Sequence, residues 1–191
     1  MGTWMVFSTR VIAVLLLSLS YVAQAQSAAY VGLGLGSMTL NTGLEQTNVF
    51  HAYAKGGAKL NDYLAFEVRL GSSAGVDQPN FAVQVPSPRL EWCFSVLAKP
   101  MYAMSEELHV YALLGLSSLK TSYGNVAALK RTKTNVDLSY GLGADFLFNQ
   151  HFSFAFEWVQ YSRKQDALSL NTAAFKGLGV RGMNASMSYA F

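Results

Sequence analysis

The most suggestive chemical motif in the sequence is a set of spaced glycines near its C-terminal end. Residues 177–182 read GLGVRG, which is the G-x-G-x-x-G spacing of a dinucleotide-binding turn. Such a turn follows a strand, opens a helix and is completed by an acidic ribose ligand about 20 residues further on. Only MNASMSYAF follows here, and it contains no acid. We therefore expect these glycines to permit a bulge or bend where a long loop enters the last strand, and not to bind a phosphate.

Five charged side chains share one phase of the alternating pattern that dominates the later sequence. The set is Glu67, Arg69, Lys99, Asp145 and Glu157. Charges that face a protein interior need partners, because burying an unpaired ion is very unfavourable. The set therefore predicts ion pairs inside a narrow interior. The pairs could simply fill that interior, or they could act as a gate in a narrow water path, and the sequence leaves both interpretations open.

A nucleophile beside a base would indicate an acyl hydrolase, and His151 and Ser153 have suitable types and spacing. We expect His151 to lie in a tight turn, away from a substrate, and therefore predict that the protein is not an enzyme. The other histidines, His51 and His109, are distant in sequence, and Cys93 is the only cysteine. These residues predict no metal site, no internal disulfide and no cofactor.

A basic stretch lies between residues 119 and 135 and contains no acid. Its cations are Lys120, Lys130, Arg131 and Lys133. A basic cluster attracts anionic surfaces, and two partners stay open: the phosphates of lipopolysaccharide around the loop, or an acidic polymer of a host or the environment. The net charge of +3 is too small to indicate a nucleic-acid partner.

The first 25 residues differ from the rest and resemble an export signal. Arg10 precedes the apolar run VIAVLLLSL, and Ala23 and Ala25 form a small-x-small cleavage pattern. A membrane-anchoring helix would need about 20 apolar residues, more than this run provides. We therefore predict a cleavable secretory signal peptide over residues 1–25 and one domain over residues 26–191.

The remaining sequence alternates with a period of two, which is typical of β-strands whose two faces differ. In residues 136–148, for example, Leu142 and Phe146 alternate with Ser139 and Asp145. The pattern predicts eight strands, near residues 28–38, 48–60, 63–73, 89–102, 108–118, 136–148, 151–162 and 180–191. Tight turns alternate with long polar stretches, at residues 39–47, 74–88, 119–135 and 163–179. This arrangement predicts an antiparallel up-and-down meander.

Alternation alone does not separate a membrane barrel from a soluble sandwich or barrel. Three features favour the membrane. Most predicted strands have 10–13 residues, which is enough to cross a bilayer at a tilt. One face is apolar and uncharged, as lipid requires, while the other combines small residues with isolated charges. Tyrosine and phenylalanine gather at strand ends, as in aromatic girdles. The fold class predicted is all-β: an eight-stranded antiparallel up-and-down transmembrane β-barrel.

Several sequence pieces resemble the transmembrane domain of OmpA and the OmpA-like β-barrel family. The last residues, MSYAF, are similar to the C-terminal strand signal of bacterial outer-membrane barrels, with Tyr189 and Phe191 as its aromatics. The other similar pieces are AYVGLGLG at 29–36, NDYLAFE at 61–67, LAKPMY at 97–102, YGLGADF at 140–146 and FEW at 156–158. The likeness extends over nearly the whole domain.

The resemblance implies a barrel in a Gram-negative outer membrane, recognised at Tyr189 and Phe191 by the barrel assembly machinery. It also implies a lumen ion cluster that includes Glu67, Lys99 and Asp145. Relatives place an inward arginine where this chain has Ala155, and Arg69 is the residue that could replace that charge. The peptidoglycan-binding domain that follows the barrel in OmpA is not present in this sequence, so a tether to the cell wall is not implied.

These observations predict a monomeric integral outer-membrane protein, surrounded by lipid and lipopolysaccharide, with an envelope-structural role and a narrow-pore or porin-like capacity. The alternative is a surface adhesin that binds an acidic extracellular ligand through its long basic loops. A wide general porin is not expected, because eight strands leave an interior that side chains largely fill.

Overall fold

The chain forms a closed barrel of eight antiparallel strands. The computed structural model describes residues 29–41, 46–73, 89–123, 131–163 and 179–191. The strands are β1 (Ala29–Asn41), β2 (Gln46–Asn61), β3 (Leu64–Ser73), β4 (Arg89–Ala103), β5 (Leu108–Tyr123), β6 (Arg131–Leu147), β7 (Phe152–Ser162) and β8 (Gly179–Ala190). Each strand pairs with its neighbours in the chain, and β8 pairs with β1 to close the ring. The predicted fold class and strand order are confirmed.

Short turns and the two ends of the barrel chain share one end of the structure, here called the turn end. Asn61 accepts a hydrogen bond from the Tyr63 backbone N–H (2.9 Å). Asn149 accepts two, from the backbone N–H groups of His151 and Phe152 (2.9 and 2.8 Å). Asparagine side chains favour turns because they can hydrogen-bond the backbone two residues on. At this same end, the Phe191 N–H donates to the carbonyl oxygen of Ala29 (3.0 Å).

The strands at the opposite end, the long-connection end, continue further than the sequence pattern predicts. Parts of the predicted loops 39–47 and 119–135 are strand: β5 and β6 remain paired up to Tyr123 and Arg131. A hairpin ladder continues wherever both chains offer backbone partners and strand-favouring residues such as Thr and Tyr. The alternation of hydrophobicity stops earlier, because polar residues on both faces are tolerated beyond the bilayer. Polarity in this stretch therefore did not indicate a loop.

The outward face of the barrel is apolar over the middle of its strands. Large side chains there are more than half exposed, among them Leu33 (72%), Leu70 (59%), Leu114 (52%), Leu138 (65%) and Leu142 (65%). A monomeric soluble protein rarely exposes so continuous an apolar surface, whereas a membrane barrel presents such a band to lipid. The outward face therefore favours the transmembrane interpretation. Within the described residues, no helix has the length and apolar character needed to cross a bilayer.

The inward face has two zones, and the sequence predicted one of them. Towards the turn end it carries the charged residues discussed below. Towards the long-connection end it is an apolar core, formed by Met38, Leu40, Val49, Leu90, Leu119, Val159, Tyr161 and Val180. The prediction that small residues and isolated charges fill the whole interior is therefore incomplete. By alternation Leu90 shares a phase with the outward-facing Val96, but a bulge between Leu90 and Trp92 shifts the register and turns Leu90 inward.

The glycines of the GLGVRG motif serve the barrel in a different way from the one predicted. Strand β8 pairs with β1 without interruption from Gly179 onward, so no bulge lies in its described part. The bulge is in β7, between Gln160 and Ser162, opposite the start of β8. Gly182 faces inward, and a Cβ there would meet Tyr161 and Met38 at 3.3 Å. This glycine makes room for the apolar core. Gly177 and Leu178 lie outside the described residues.

Candidate functional site

The centre of the lumen is crossed by one arginine that joins opposite walls. Arg69 extends from β3, and its Nε donates to Glu67 on the same strand (2.5 Å). Its Nη2 donates to Glu157 Oε2 on β7 (2.8 Å), and its Nη1 donates to Oε1 of the same carboxylate. In a ring of eight strands, β3 and β7 face each other. All three side chains are at most 3% exposed. The guanidinium therefore bridges the lumen from one wall to the opposite wall.

Glu157 is the most heavily hydrogen-bonded group in this region. Besides Arg69, it accepts bonds from the hydroxyl groups of Tyr53 (3.2 Å) and Tyr111 (3.0 Å). The Asn184 amide donates to it as well (3.0 Å). A carboxylate offers about four lone-pair sites, and the donors here occupy both oxygens. The arrangement stabilises an ionised Glu157 and fixes its position.

Glu67 forms a second, adjoining centre. The Tyr30 hydroxyl donates to its Oε2 (2.8 Å), and the Lys55 Nζ lies 3.9 Å from the same oxygen. Together with Arg69, these groups give the carboxylate two cations and a neutral donor. Lys55 is 4% exposed and was not among the predicted site residues. Its burial is tolerable because a buried cation with an anionic partner avoids most of the penalty of an isolated charge.

A second ion pair lies nearer the turn end. The Lys99 Nζ of β4 donates to Asp145 Oδ2 of β6 (2.6 Å). The same ammonium lies 3.9 Å from the centroid of the Tyr111 ring and 5.7 Å from that of Tyr30. Both tyrosines also bond the central carboxylates, so the two ion-pair groups share side chains. Beyond the pair, a cavity of about 50 Å³ is lined by Lys99, Asp145 and Lys59 among others.

We call the combined set the lumen network. Its members are Tyr30, Tyr53, Lys55, Glu67, Arg69, Lys99, Tyr111, Asp145, Glu157 and Asn184. Three cations face three carboxylates, so the formal charges cancel (3 − 3 = 0). Each of the eight strands contributes at least one member. The network therefore links all walls of the barrel and leaves no net charge inside it.

Three glycines create the space that the network tyrosines occupy. Tyr30 pairs across strands with Gly57, and a Cβ on that glycine would collide with the Tyr30 ring. The same relation holds for the cross-strand pairs Gly34–Tyr53 and Gly143–Tyr111. A tyrosine ring that must reach the barrel centre can lie over a neighbour without a side chain. The glycine-rich inward face predicted from the sequence thus has a specific partner at each of these positions.

The structure brings all five predicted lumen residues into this network. Lys55, the three tyrosines and Asn184 were missed. A signal was available for two of the tyrosines, because Tyr30 shares its alternation phase with Gly32 and Gly34 of β1, as Tyr111 does with Gly115 of β5. The prediction considered small residues and charges on that face, and it considered tyrosines only at strand ends. Ala155, which stands where relatives have an inward arginine, is buried on β7, and Arg69 reaches Glu157 from the opposite wall.

The structure does not place the predicted basic residues together in one loop. Lys120 lies on β5, faces outward and pairs with Glu91 of β4 (3.0 Å). Arg131 and Lys133 lie within β6, and Lys130 falls outside the described residues. The described parts of this stretch are therefore paired strand, because the β5–β6 ladder continues beyond the apolar band as far as Tyr123 and Arg131.

The other predicted residues lie at the turn end or outside the described chain. His151 is exposed in a turn, and its ring stacks on that of Tyr189 with centroids 5.6 Å apart. Tyr189 also contacts the rings of Phe152 (5.1 Å) and Phe191 (5.3 Å). Ala23 and Ala25, the predicted cleavage residues, are outside the described ranges. Among the residues that the structure covers, no group of His, Cys, Asp and Glu could hold a metal ion.

Comparison with known proteins agrees with this architecture. A family model described as "Outer membrane protein beta-barrel domain" matches residues 11–191. No curated protein matches the sequence. Among solved structures, Neisserial surface protein A (NspA) is 14% identical with a TM-score of 0.68, covering 85% of this chain and 97% of its own. The attachment invasion locus protein Ail of Yersinia pestis, in complex with the heparin analogue sucrose octasulfate, is 15% identical with a TM-score of 0.61, covering 86% and 99%.

A third similar structure is the N-terminal β-barrel domain of Pseudomonas aeruginosa OprF. It is 13% identical, with a TM-score of 0.59, and the match covers 87% of this chain and all of that domain (100%). At such identities the likeness establishes the fold alone.

Proposed function

The chain belongs to the outer membrane protein β-barrel domain family, and we propose that it is a non-enzymatic envelope barrel that is closed at rest. In such barrels the short turns are periplasmic and the longer connections extracellular. The turn end is then the periplasmic end, and the apolar core of the lumen lies on the extracellular side. In this proposal the protein contributes a stable wall and surface hairpins to the outer membrane, and passage of small solutes is at most slow.

The bridge from Arg69 to Glu157 is the observation that carries this proposal. It joins opposite walls through a guanidinium and a carboxylate that are almost completely buried. A solute that crosses the barrel would have to part this pair and then pass the apolar core above it. Separating a buried ion pair leaves charges without partners and costs several kcal/mol. Eight strands also leave little interior volume once side chains are in place.

Electrical recording on the purified barrel tests the proposal directly. The protein would be refolded in detergent, checked for the faster gel mobility of the unboiled form, and inserted in planar bilayers. We expect a baseline without sustained open channels, interrupted at most by brief small openings. A large, steady conductance in wild-type protein would contradict a barrel that is closed at rest. Buffer from a mock refolding reaction is the control for contaminating porins.

A surface-binding role is the second candidate, and the β5–β6 hairpin favours it. This hairpin remains paired up to Tyr123 and Arg131 and carries Lys120 and Lys133 near its end. The similar protein Ail was crystallised with a sulfated heparin analogue, and a basic hairpin here could bind an acidic polymer by the same charge attraction.

Whole cells displaying the protein provide the test of this second role. Binding to immobilised heparin would be compared between wild type and a variant with Lys120, Lys130, Arg131 and Lys133 all changed to Gln. Side-chain replacement preserves the hairpin, which a deletion of residues 119–135 would remove. Loss of binding in the variant supports surface recognition. Equal binding at equal surface expression would exclude a role for this hairpin.

A further inference from the structure

A polar cleft and an apolar groove lie on the outer wall of the barrel, outside the lumen. The cleft is at the extracellular end of β7, β8 and β1, has a volume of about 350 Å³, and is lined by Arg163, Arg181, Gln160 and Thr39 among others. We call it the rim cleft. Two arginines on its lining are exposed. Within the part of the chain that the structure describes, neither forms an ion pair with a carboxylate.

Arg163 is held in place by a neighbour of the cleft. Its guanidinium lies over the Tyr140 ring, 4.8 Å from the centroid, and its Nε donates to the Tyr140 hydroxyl (3.2 Å). This uses one of five N–H donors and keeps the positive charge at the rim. Gln160, which also lines the cleft, is fixed by bonds from its amide to the carbonyl oxygens of Ser162 and Val180 (2.6 and 2.9 Å). Both amide hydrogens of Gln160 are used in these bonds, so the donors that the cleft offers belong to its two arginines.

The groove runs over β8, β1, β2 and β3 in the apolar band, with Phe154 of β7 and Trp92 of β4 at its edges, and is called the wall groove. It has a volume of about 810 Å³, and its outward-facing lining is almost entirely apolar. Ala52 and Ala54 form its floor on β2, while Leu33, Leu35 and Leu70 on the neighbouring strands are more than half exposed and form its sides. The small residues between larger ones leave room for an apolar chain.

Strand register places the groove in line with the cleft. On β8, Arg181 pairs with Thr39 of β1, and four residues further on Ala185 pairs with Leu35. Leu35 in turn pairs with Ala52 of β2 in the wall groove. Four residues of extended strand span about 13 Å. A molecule with an anionic head at the rim cleft would thus need only a short stretch of its body to reach the groove.

We propose that this wall binds one lipopolysaccharide molecule from the outer leaflet. A lipid A phosphate lies in the rim cleft between Arg163 and Arg181, and an acyl chain of the same molecule fills the wall groove. Arginine suits phosphate because its planar fork offers several donors in matching geometry. A zwitterionic phospholipid would bring an ammonium group towards two guanidinium groups. The extracellular position of the cleft selects the anionic lipid of the outer leaflet over phospholipids of the inner one.

Titration of the refolded barrel in detergent, followed by native mass spectrometry, measures the binding. The probes are bisphosphorylated lipid A, a chemically dephosphorylated lipid A, phosphatidylglycerol and inorganic phosphate. The variants are R163Q/R181Q for the cleft and A52F/A54F for the groove. K120Q/K133Q removes the same number of charges from the β5–β6 hairpin, whose cations are the other candidates for contact with anionic groups, so this variant distinguishes binding at the cleft from binding at the hairpin. Gel mobility without boiling confirms that each variant is folded.

We expect bisphosphorylated lipid A to bind the wild type one to one. Loss of each charge-assisted contact should weaken binding about tenfold, so R163Q/R181Q should bind about a hundredfold more weakly. A52F/A54F should also bind more weakly, while K120Q/K133Q should match the wild type. Equal binding of dephosphorylated lipid A, or no change in R163Q/R181Q, would overturn the cleft. An equal loss of lipid A binding in K120Q/K133Q would show unspecific charge attraction. Equal binding of phosphatidylglycerol, or competition by inorganic phosphate alone, would overturn the choice of lipopolysaccharide as the ligand.

Discussion

Arg69 bonds two carboxylates on opposite walls, so the barrel interior depends on this side chain more than on any single carboxylate. Glu67 keeps Lys55 and Tyr30 when another partner is lost, and Glu157 keeps two tyrosines and Asn184. Neutral donors do not compensate a buried negative charge as a cation does. The residue that contributes charge to both centres therefore determines whether the interior is balanced.

We expect Arg69→Ala to lower the free energy of unfolding by about 3–5 kcal/mol, because it leaves the buried Glu157 carboxylate without a cation and Glu67 with Lys55 alone. Urea unfolding in lipid vesicles, followed by tryptophan fluorescence, measures this change. Adding Glu157→Gln to the same variant should recover part of the loss, since the uncompensated charge is then removed. A decrease in Arg69→Ala below about 1 kcal/mol would contradict the central role of this residue.

Lys99→Ala should have a smaller effect than Arg69→Ala. Its partner Asp145 borders the cavity at the turn end, where water can hydrate a carboxylate that has lost its cation. The Arg69–Glu157 bridge does not involve Lys99, so we also expect conductance in planar bilayers to stay at the wild-type baseline. A stability loss equal to that of Arg69→Ala, or sustained channels, would show that Lys99 and not Arg69 closes the lumen. Unchanged stability would show that the Lys99–Asp145 pair is not part of a shared network.

For the strands, the sequence predicted which residues face inward and which of them are charged, but not where β-bulges shift the pairing register. Alternation assigns each residue to a face, and this sufficed to bring Glu67, Lys99 and Asp145 to the interior. The bulges at Glu91 and Tyr161 are invisible in that pattern, because one extra residue changes the face of those that follow. The extension of the β5–β6 ladder beyond the apolar band could not be predicted for a different reason. There the backbone pairing continues, but the side chains no longer need to alternate between apolar and polar.

The cross-strand pairing of glycine with tyrosine gives a prediction about β1 and β2. Gly34→Ala places a methyl group against the Tyr53 ring, and we expect it to destabilise the barrel by about 1–3 kcal/mol through overpacking. Gly56→Ala is the matched control on the adjacent strand, because its Cβ would meet only the Tyr30 carbonyl oxygen, at 4.0 Å. That substitution should be neutral or slightly stabilising. Equal unfolding free energies for the two variants would show that the glycines are not required for the tyrosine rings.

For the molecule as a whole, composition and periodicity predicted the barrel because lipid imposes simple rules on its wall. Long strands, an uncharged outward face and closure follow from the need to satisfy every backbone group without water. The interior obeys no such rule. Charged pairs and an apolar core both fill it, and the sequence alone does not tell which zone prevails at which depth. The division seen here, with ions towards the turn end and apolar side chains towards the long-connection end, comes from tertiary packing.

Cys93 reports on whether that apolar zone excludes water in the intact barrel. It faces inward on β4, is 5% exposed, and belongs to the buried core with Leu90 and Leu119. In folded protein we expect a water-soluble maleimide to leave Cys93 unmodified, because the reagent cannot enter a closed lumen, and to label it fully after unfolding in urea. Cys93→Ser with Met104→Cys is the positive control, since Met104 lies in an exposed periplasmic turn and should be labelled in the folded state. Rapid labelling of Cys93 in folded wild type would mean that water and small solutes reach the apolar core, and the barrel would then be an open path and not a closed wall.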